Sequence, residues 1–485
     1  MRNGHMKPTP SLIRISRMAF YVSAVCAAYA SAGAQDPSQA KGGAVVANSQ
    51  GSLDVRSHGA TGNGVSVDTP SIQAAIDACA KAGGGTVEFP SGRYLSGTIS
   101  LQSHVKLHLS AGAVLIGSTN LADYRAPVVP SFMPEAKWGK WHRALVIGEG
   151  LVDSGITGEG LIDGRRVFDP TGEEHMRGPH TIVFVGCTNF VIEGISILDS
   201  ANYAVFFQAS SDVSIRNVRI SGGWDGVHFR GSPGHPCRRV NIIGCEFYTG
   251  DDSIAGRYWE DTVISGCIIN SSCNGIRLIG PAQGLTVSQC LFYGPGRQPH
   301  RSSGRTNMLS GVILQPGAWD KTEGLLDDVF LTDLNMKDVA CPLTIWTKPG
   351  NPVGCITVSG LNATRVYRSA MSVESWSDAP ITNLVVRNTW VDFEGKATSA
   401  SEMPPTSIKS PGVDARALPA WGFYARNVEH LSLQDTRLSV GSQDLRPVVI
   451  ADRVGYLEFD GFKFTTVPEV AQPIWTNNVT RVTIK

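Results

Sequence analysis

Three short acidic segments that repeat one another in register are the part of the sequence best suited to do chemistry. The repeats are Gly223–Arg230, Gly250–Arg257 and Cys273–Gly280. Their alignment places Asp225, Asp252 and Asn274 in one column, with Asp251 beside the second member. Carboxyl groups held close together cannot all ionise freely, so we expect at least one to keep its proton near neutral pH. Such a cluster can supply both a proton donor and a proton acceptor.

The spacing of these segments indicates a solenoid of short parallel strands. The aligned positions Val227, Ile254 and Ile276 follow one another at steps of 27 and 22 residues, which is the period of a repeat architecture. The strand that follows each acidic segment repeats as well and brings three cysteines into register, namely Cys245, Cys267 and Cys290. Residues in one column of such a coil lie about 4.8 Å apart. The repeat therefore gathers the carboxylates at one place, and the cysteines are expected to stack in the core.

Short strands with β-branched residues and Gly, Asn, Ser or Asp punctuation dominate the chain from Thr86 onward. One helix precedes them, predicted over 68–81, with Asp68 or Thr69 as its cap and Gly83–Gly85 ending it. Two-residue hairpin signals are scarce, which favours a coil over an antiparallel meander. A single helix ahead of many strands is suited to cover the open end of a β-coil.

The N-terminal residues predict export. Basic residues precede the apolar stretch Met18–Ala30, and Ala32–Ala34 fits a small-residue cleavage site. We therefore divide the chain into a signal peptide at 1–34, a linker at 35–50 and a single β-coil domain at 51–485, with a secreted or periplasmic location. The apolar stretch is too short to span a bilayer.

Net charge and cysteine spacing limit which binding partners and cofactors the sequence predicts. The chain of 485 residues has a formal net charge of zero at pH 7, so its overall field favours neither nucleic acid nor an anionic membrane as a partner. Its cysteines lack the spacing of a metal site or a disulfide framework. Export would permit a disulfide at Cys237 or Cys273, which the sequence cannot assign. We expect a monomer without a cofactor.

The segment Thr249–Arg257 (TGDDSIAGR) is similar to the most specific motif of glycoside hydrolase family 28, the polygalacturonase-like enzymes. The resemblance runs from about Asp54 to Pro316. Of four short family motifs, the Asp-Asp pair is intact as Asp251-Asp252, and the Asn-x-Asp motif keeps only its carboxylate, as Asp225. The Gly-His-Gly motif falls at 273–275 without its histidine, and the Arg-Ile-Lys motif falls near 311–316 without its cations.

This resemblance implies an all-β fold, a single-stranded right-handed parallel β-helix with an N-terminal capping helix. It also implies hydrolysis of a polysaccharide, with Asp251 as the proton donor and Asp225 and Asp252 as the bases that activate water for inversion. In the family the two missing motifs bind the galacturonide. Their loss is therefore compatible with hydrolysis but argues against polygalacturonate as the substrate.

Strand alternation predicts which neighbours share the exterior with the aspartates. If Val227 and Phe229 point inward, His228 and Arg230 point outward. The same rule points Arg257 and Arg277 outward. Asn274 shares the column of the aspartates, and the Trp224 ring beside them could stack on a sugar face. The candidates for substrate binding are therefore Trp224, His228, Arg230, Arg257, Asn274 and Arg277. The arginines could instead only neutralise the carboxylates, and a tryptophan at such a place is more often a packing residue.

The leading hypothesis is an exported, metal-independent glycoside hydrolase that acts on a pectin-like or related plant or microbial polysaccharide. Two alternatives remain open. A polysaccharide lyase on the same fold would hold Ca²⁺ between the aspartates and use an arginine as base, and would release unsaturated products. A non-catalytic carbohydrate-binding β-helix would bind the same chains without turnover. Whether attack is endo or exo depends on whether the insertions 123–143 and 294–307 close the cleft.

Overall fold

A computed structural model describes residues 51–133, 143–395 and 408–485 of the chain. The predicted signal peptide and linker lie outside the described residues, as does 134–142 of the first insertion. Within the described ranges, no helix is long and apolar enough to cross a membrane.

The described residues form 38 strands, one α-helix and three short 3-10 helices. The α-helix, α1, is Thr69–Lys81, and the 3-10 helices are Val55–His58, Leu121–Asp123 and Glu173–His175. The strands of the first coils are β1 Ser52–Asp54, β2 Asn63–Val67, β3 Gly85–Phe89, β4 Gly92–Ser96, β5 Ile99–Ser100, β6 Val105–Leu109, β7 Ala113–Gly117, β8 Ala144–Glu149, β9 Val152–Gly158, β10 Leu161–Asp163, β11 His180–Val185, β12 Thr188–Glu193 and β13 Ser196–Leu198. The strands of the middle coils are β14 Val205–Gln208, β15 Ser211–Arg216, β16 Arg219–Ser221, β17 Val227–Arg230, β18 Cys237–Ile243, β19 Glu246–Thr249, β20 Ile254–Arg257, β21 Trp259–Ser265, β22 Ile268–Ser271, β23 Asn274–Leu278, β24 Ala282–Ser288, β25 Leu291–Tyr293 and β26 Ser310–Leu314. The strands of the last coils are β27 Leu326–Thr332, β28 Asn335–Lys337, β29 Leu343–Thr347, β30 Cys355–Ser359, β31 Asn362–Val366, β32 Met371–Ser375, β33 Ile381–Phe393, β34 Phe423–Val440, β35 Val449–Asp460, β36 Lys463–Phe464, β37 Ile474–Asn477 and β38 Arg481–Ile484.

Through the middle of the chain each strand pairs in parallel with the third strand after it, so every coil contributes one strand to each of three ladders. One ladder runs through β11, β14, β17, β20, β23, β26, β29 and β32. Its register aligns Val227 with Ile254 and Ile254 with Ile276. The predicted column is therefore confirmed, and the coil architecture follows from parallel pairing along the whole described chain.

One continuous core fills the interior of the coils. Val227 and Phe229 lie in it, as strand alternation predicts, and Phe229 stacks on Phe207 of the preceding coil with ring centroids 5.2 Å apart. The three cysteines aligned in the sequence, Cys245, Cys267 and Cys290, are buried there as well. All nine described cysteines are free thiols, so the suggested disulfide at Cys237 or Cys273 is absent from these residues.

Helix α1 packs against the first coil strands with Ile72, Ala75, Ile76 and Cys79 buried. These four residues recur on one face of the helix, and burying them covers the first rung of the core. The helix ends at Lys81, before glycines with positive φ at 83–85. Asp68 stands at the N-cap position, but its side chain does not cap the helix. It accepts hydrogen bonds from the backbone of Thr61 and Gly62 instead.

Candidate active site

The three aspartates lie together in a cavity of about 220 Å³ at the edge of the β17–β20–β23 ladder. Asp225 and Asp252 each lie two residues before a strand, β17 and β20. The backbone N–H of Gly226 donates to the carbonyl of Asp252. Parallel pairing thus sets Asp225 and Asp252 one coil apart. All three aspartates are buried, with at most 8% of each residue exposed, yet they line the cavity, which matches a reactive centre shielded from bulk water.

Asp251 is surrounded by positively charged or proton-bearing groups. The Arg177 guanidinium donates to its Oδ2 at 3.2 Å, and the His300 Nε2 lies 3.7 Å from the same oxygen. Arg177 is itself fixed, because it lies over the Trp224 ring at 3.7 Å and donates to Glu174 at 2.6 Å. Neither Arg177 nor His300 belongs to the repeated segments; both come from insertions between strands.

Asp252 is held by residues of the next coil. The Asn274 side-chain amide donates to its Oδ1 at 2.8 Å, and the Asn274 backbone N–H donates to the same oxygen at 3.1 Å. The Arg277 guanidinium donates to Oδ2 at 3.3 Å. These contacts fix the orientation of the Asp252 carboxyl and leave its exposed side facing the cavity.

Asp225 pairs with a histidine of β17, the strand that follows it. The His228 Nδ1 lies 2.9 Å from Asp225 Oδ2, and the His228 ring stacks on Tyr203 with centroids 4.5 Å apart. Burial, together with the charges of Arg230 and Arg257, holds the pKa of His228 well below its usual range. The imidazole is therefore neutral and can share one proton with Asp225.

The surroundings move the pKa values of the aspartates apart. Burial and the neighbouring charges of Asp251 and Asp252 raise the pKa of Asp225 well above its ordinary value. Burial also raises the pKa of Asp252, against the opposing charge of Arg277. Burial acts to raise the pKa of Asp251 too, but His300 and Arg177 together lower it below its ordinary value. The proton therefore rests on Asp225 or Asp252, and Asp251 is ionised.

Most of the residues expected at the site face the cavity, and three do not. His228, Arg230 and Arg277 line it with the aspartates. Asn274 is completely buried behind Asp252. Trp224 is completely buried beneath Arg177, and Arg257 turns to an ion pair with Asp320. Asn274 and Trp224 support Asp252 and Arg177 on the cavity wall. Direct binding of substrate by these last three residues stays a prediction.

Several cavity residues escaped the sequence interpretation. They are Glu173, Glu174, Arg177, Tyr203, His300, Arg305, Trp319 and Asp414. All but Tyr203, which lies in the turn between β13 and β14, come from irregular insertions. His300 stands within the insertion 294–307, and it brings an imidazole to Asp251 although the histidine expected at 273–275 is absent. Burial raises the pKa of Glu173, whose Oε2 accepts no hydrogen bond within the described residues. For His300, the signal in the sequence was the unusual length of the insertion 294–307.

The donor set fits Ca²⁺ poorly. Ligand atoms of Asp251, Asp252 and Cys273 lie within 4.8 Å of one another. Ca²⁺ prefers six to eight oxygen ligands, whereas burial raises the pKa of the Cys273 thiol and keeps it protonated. Arg177 and Arg277 already pair with the two carboxylates. These contacts weigh against the calcium-dependent lyase alternative.

Comparison with known proteins supports the coil architecture. Residues 180–298 match the family described as "Right handed beta helix region". A relative from Vitis vinifera, described as "Probable polygalacturonase", is 23% identical over 393 residues, which cover 74% of this chain and 78% of the relative. The aligned region includes far more than the acidic motif, so the resemblance extends over most of the coils.

Solved structures agree on the fold. An exopolygalacturonase from Thermotoga maritima superposes with a TM-score of 0.60 at 18% identity, covering 81% of this chain and 92% of the other. The surface adhesin PfbA of Streptococcus pneumoniae superposes with a TM-score of 0.50 at 14% identity, covering 89% of this chain and 100% of the other. The predicted right-handed parallel β-helix is thereby confirmed. Because an enzyme and an adhesin share it, the function must be argued from the site.

Proposed function

We propose, from the premise that this chain is a polygalacturonase-like parallel β-helix protein, that it is a glycoside hydrolase that cleaves a pectin-like or related plant or microbial polysaccharide. The relatives named as polygalacturonases support the hydrolase class. One observation carries the proposal: Asp225, Asp251 and Asp252 line a single cavity, and their pKa values are shifted in opposite directions. A pure binding surface has no need of that arrangement.

Glycoside hydrolysis needs one carboxyl group that donates a proton to the leaving oxygen and another that acts on water or on the sugar. The triad can supply both, since its members cannot all be ionised at once. We propose inversion, with water activated by Asp225 and Asp252, on the strength of the family resemblance. No metal ion takes part in this scheme.

The proton-donor role proposed for Asp251 requires a change at Arg177. In the unliganded site Arg177 and His300 hold Asp251 in its ionised form. A carboxylate or hydroxyl group of the sugar that took over the Arg177 contact would weaken this stabilisation. The pKa of Asp251 would then rise, and the proton held by its neighbours could pass to it. Substrate binding thus prepares the donor.

The experiment is hydrolysis of pectic and hemicellulosic oligosaccharides by the purified protein, with identification of the products. Asp251→Asn and Asp252→Asn should each lower the rate by a factor of about 10² or more. Asp212→Asn is the matched control, because Asp212 forms an ion pair with Arg239 away from the cavity and its loss should leave the rate unchanged.

Three results would contradict the proposal. Products that absorb as unsaturated uronides and vanish with a chelator would indicate a lyase. Tight binding of oligosaccharides without any turnover would indicate a binding protein. Equal rates for Asp251→Asn and the unmodified enzyme would remove the triad from the chemistry.

The chain is proposed to act outside the cytoplasm, in the periplasm or the medium, because of its N-terminal sequence. Mass spectrometry of the mature protein isolated from its natural cell tests this. Cleavage near Ala34 is expected, and an intact Met1 in the mature protein would contradict it.

A further inference from the structure

We infer that the cavity admits only the end of a polysaccharide chain, so that the protein acts as an exo-hydrolase. The inference rests on the proposed function and adds to it the part of the polymer that is attacked. It depends on three insertions, each of which leaves one coil and reaches the site from a different side.

The first wall comes from an earlier coil. The segment between β10 and β11, residues 164–179, carries Glu173, Glu174 and Arg177 to the cavity. Arg177 spans several coils, because it starts before β11 and donates to Asp251, which lies just before β20. Its guanidinium also lies over Trp224, and it is only 6% exposed. This contact covers the approach to the aspartates across the earlier strands of the ladder.

The second wall comes from a later coil. Residues 408–418 precede β34, yet Arg277 of β23 donates to the carbonyl of Val413 at 2.6 Å and contacts Asp414 at 3.4 Å. The segment therefore runs back over the ladder strands that follow β23. It is anchored there, since Arg416 donates to both oxygens of the fully buried Glu374 on β32, at 2.9 and 2.7 Å. A chain lying along the ladder would collide with it.

The third wall is the insertion 294–307, and it meets the first. Gln298 accepts from Arg166 at 3.2 Å, which joins the loop before β26 to the segment before β11. Asn270 of β22, in the preceding coil, holds the start of the same loop, because its amide donates to the carbonyls of Tyr293 and Pro295 at 2.8 and 2.9 Å. His300 and Arg305 reach the cavity from this loop. The flank between the first two walls is thus closed as well.

A sugar unit inside a polymer is linked on both sides, so the chain must pass through the site at two points. These walls leave a cavity of about 220 Å³, which is below the range of about 300–1,000 Å³ typical of pockets for drug-sized ligands. A terminal unit can enter such a space with the rest of its chain leaving by one mouth. Trp319 stands at that mouth, lining the cavity with 55% of its surface exposed, and offers a face for the next sugar to stack on.

The test is digestion of a long polymer of the sugar that the oligosaccharide screen identifies. We expect reducing ends to accumulate while viscosity falls slowly, with one short product throughout. Oligosaccharides of increasing length should each be shortened from the same end. A rapid fall in viscosity with mixed product lengths would overturn the inference while leaving the hydrolase proposal intact. Failure to hydrolyse any oligosaccharide would instead contradict the proposed function.

A variant tests the second wall directly. Arg416→Ala removes the anchor of the 408–418 segment at a residue that does not itself line the cavity. Arg365→Ala is its control, because Arg365 pairs with Asp338 on the outer surface. Arg416→Ala should increase viscosity loss per bond cleaved severalfold, whereas the control should not. Arg416→Ala leaves the buried Glu374 carboxylate without its ion-pair partner and could unfold the protein. Arg416→Lys keeps the positive charge and is therefore measured beside it. Strictly terminal cleavage by a folded Arg416 variant would overturn the assignment of this wall.

Discussion

At the residue scale, the site is defined by the contrast between Asp251 and its two neighbours. Asp251 faces Arg177 and His300, whereas Asp225 faces a neutral His228. Carboxyl groups of identical chemistry therefore hold protons with different affinity, which is how one site can supply both acid and base. The differences come from neighbours on insertions and adjacent coils, not from the motif itself.

Substrates with a good leaving group should identify the proton donor. Protonation of the leaving oxygen matters little when that group departs readily, so the variant that lacks the donor should recover most of its rate on an aryl glycoside. We expect recovery for Asp251→Asn and none for Asp225→Asn or Asp252→Asn. Comparison of kcat on the aryl glycoside and on the natural oligosaccharide measures this. Recovery by Asp225→Asn alone would move the donor role to Asp225, where the pKa is raised.

Replacement of His300 should change the pH dependence of the reaction. His300 helps to keep the pKa of Asp251 low, so in His300→Gln that pKa should rise. The limb of the kcat profile that reports Asp251 should therefore move to higher pH. His430→Gln is the control, since His430 lies exposed on β34. An unchanged profile with unchanged kcat would exclude His300 from the site.

At the element scale, the repeats and the insertions have separate tasks. Ladder strands such as β17, β20 and β23 fix the column of acidic residues, because parallel pairing carries one register from coil to coil. The insertions are free of that register and fold back over the ladder. They bring the groups that tune the aspartates and that close the cavity.

Removal of the side-chain amide of Asn270 should loosen the insertion 294–307. Asn270 is fully buried and makes two hydrogen bonds to this loop, to the carbonyl of Pro295 and from the N–H of Arg297. It makes a third to the carbonyl of Tyr293, at the end of the strand before the loop. Asn270→Ala should lower the free energy of unfolding by about 1–3 kcal/mol and reduce kcat/KM. Denaturant unfolding and steady-state kinetics measure the two effects. The exposed Asn335→Ala should change neither, and an equal loss there would remove the special role of Asn270.

At the scale of the whole molecule, stability and function oppose each other. The continuous core and the capping helix α1 stabilise the coil. Asp225 and Asp252, whose pKa values are raised, work against that stability at neutral pH. The overall charge of zero conceals this local concentration of charge. The candidate active site is therefore the region where burial of charged groups is least favourable for folding.

Asp225→Asn should stabilise the protein at neutral pH. The folded-state pKa of Asp225 is raised above its unfolded value, so its contribution to stability is present below about pH 3.9 and is lost as pH rises through the folded pKa. Asn carries no charge and avoids that loss. The melting temperature of Asp225→Asn should exceed that of the unmodified protein by a few degrees at pH 7, and the difference should shrink toward pH 4.

Asp212→Asn provides the contrast for that measurement. Its hydrogen bond to Arg239 lowers the pKa of Asp212, so the sign is reversed, and this exposed position should give little change. A melting temperature for Asp225→Asn that is lower at pH 7 than that of the unmodified protein would show that the Asp225 carboxyl is stabilising, contrary to its raised pKa.

The sequence by itself determined the coil, the capping helix and the column of Asp225, Asp252 and Asn274, because a repeat in a parallel ladder converts sequence register directly into spatial neighbours. The tertiary structure alone decided that Trp224 supports Arg177 and that His300 meets Asp251. Those contacts join segments without a common period, and their positions are set by packing against coils far away in the chain. Local sequence patterns carry no record of such packing.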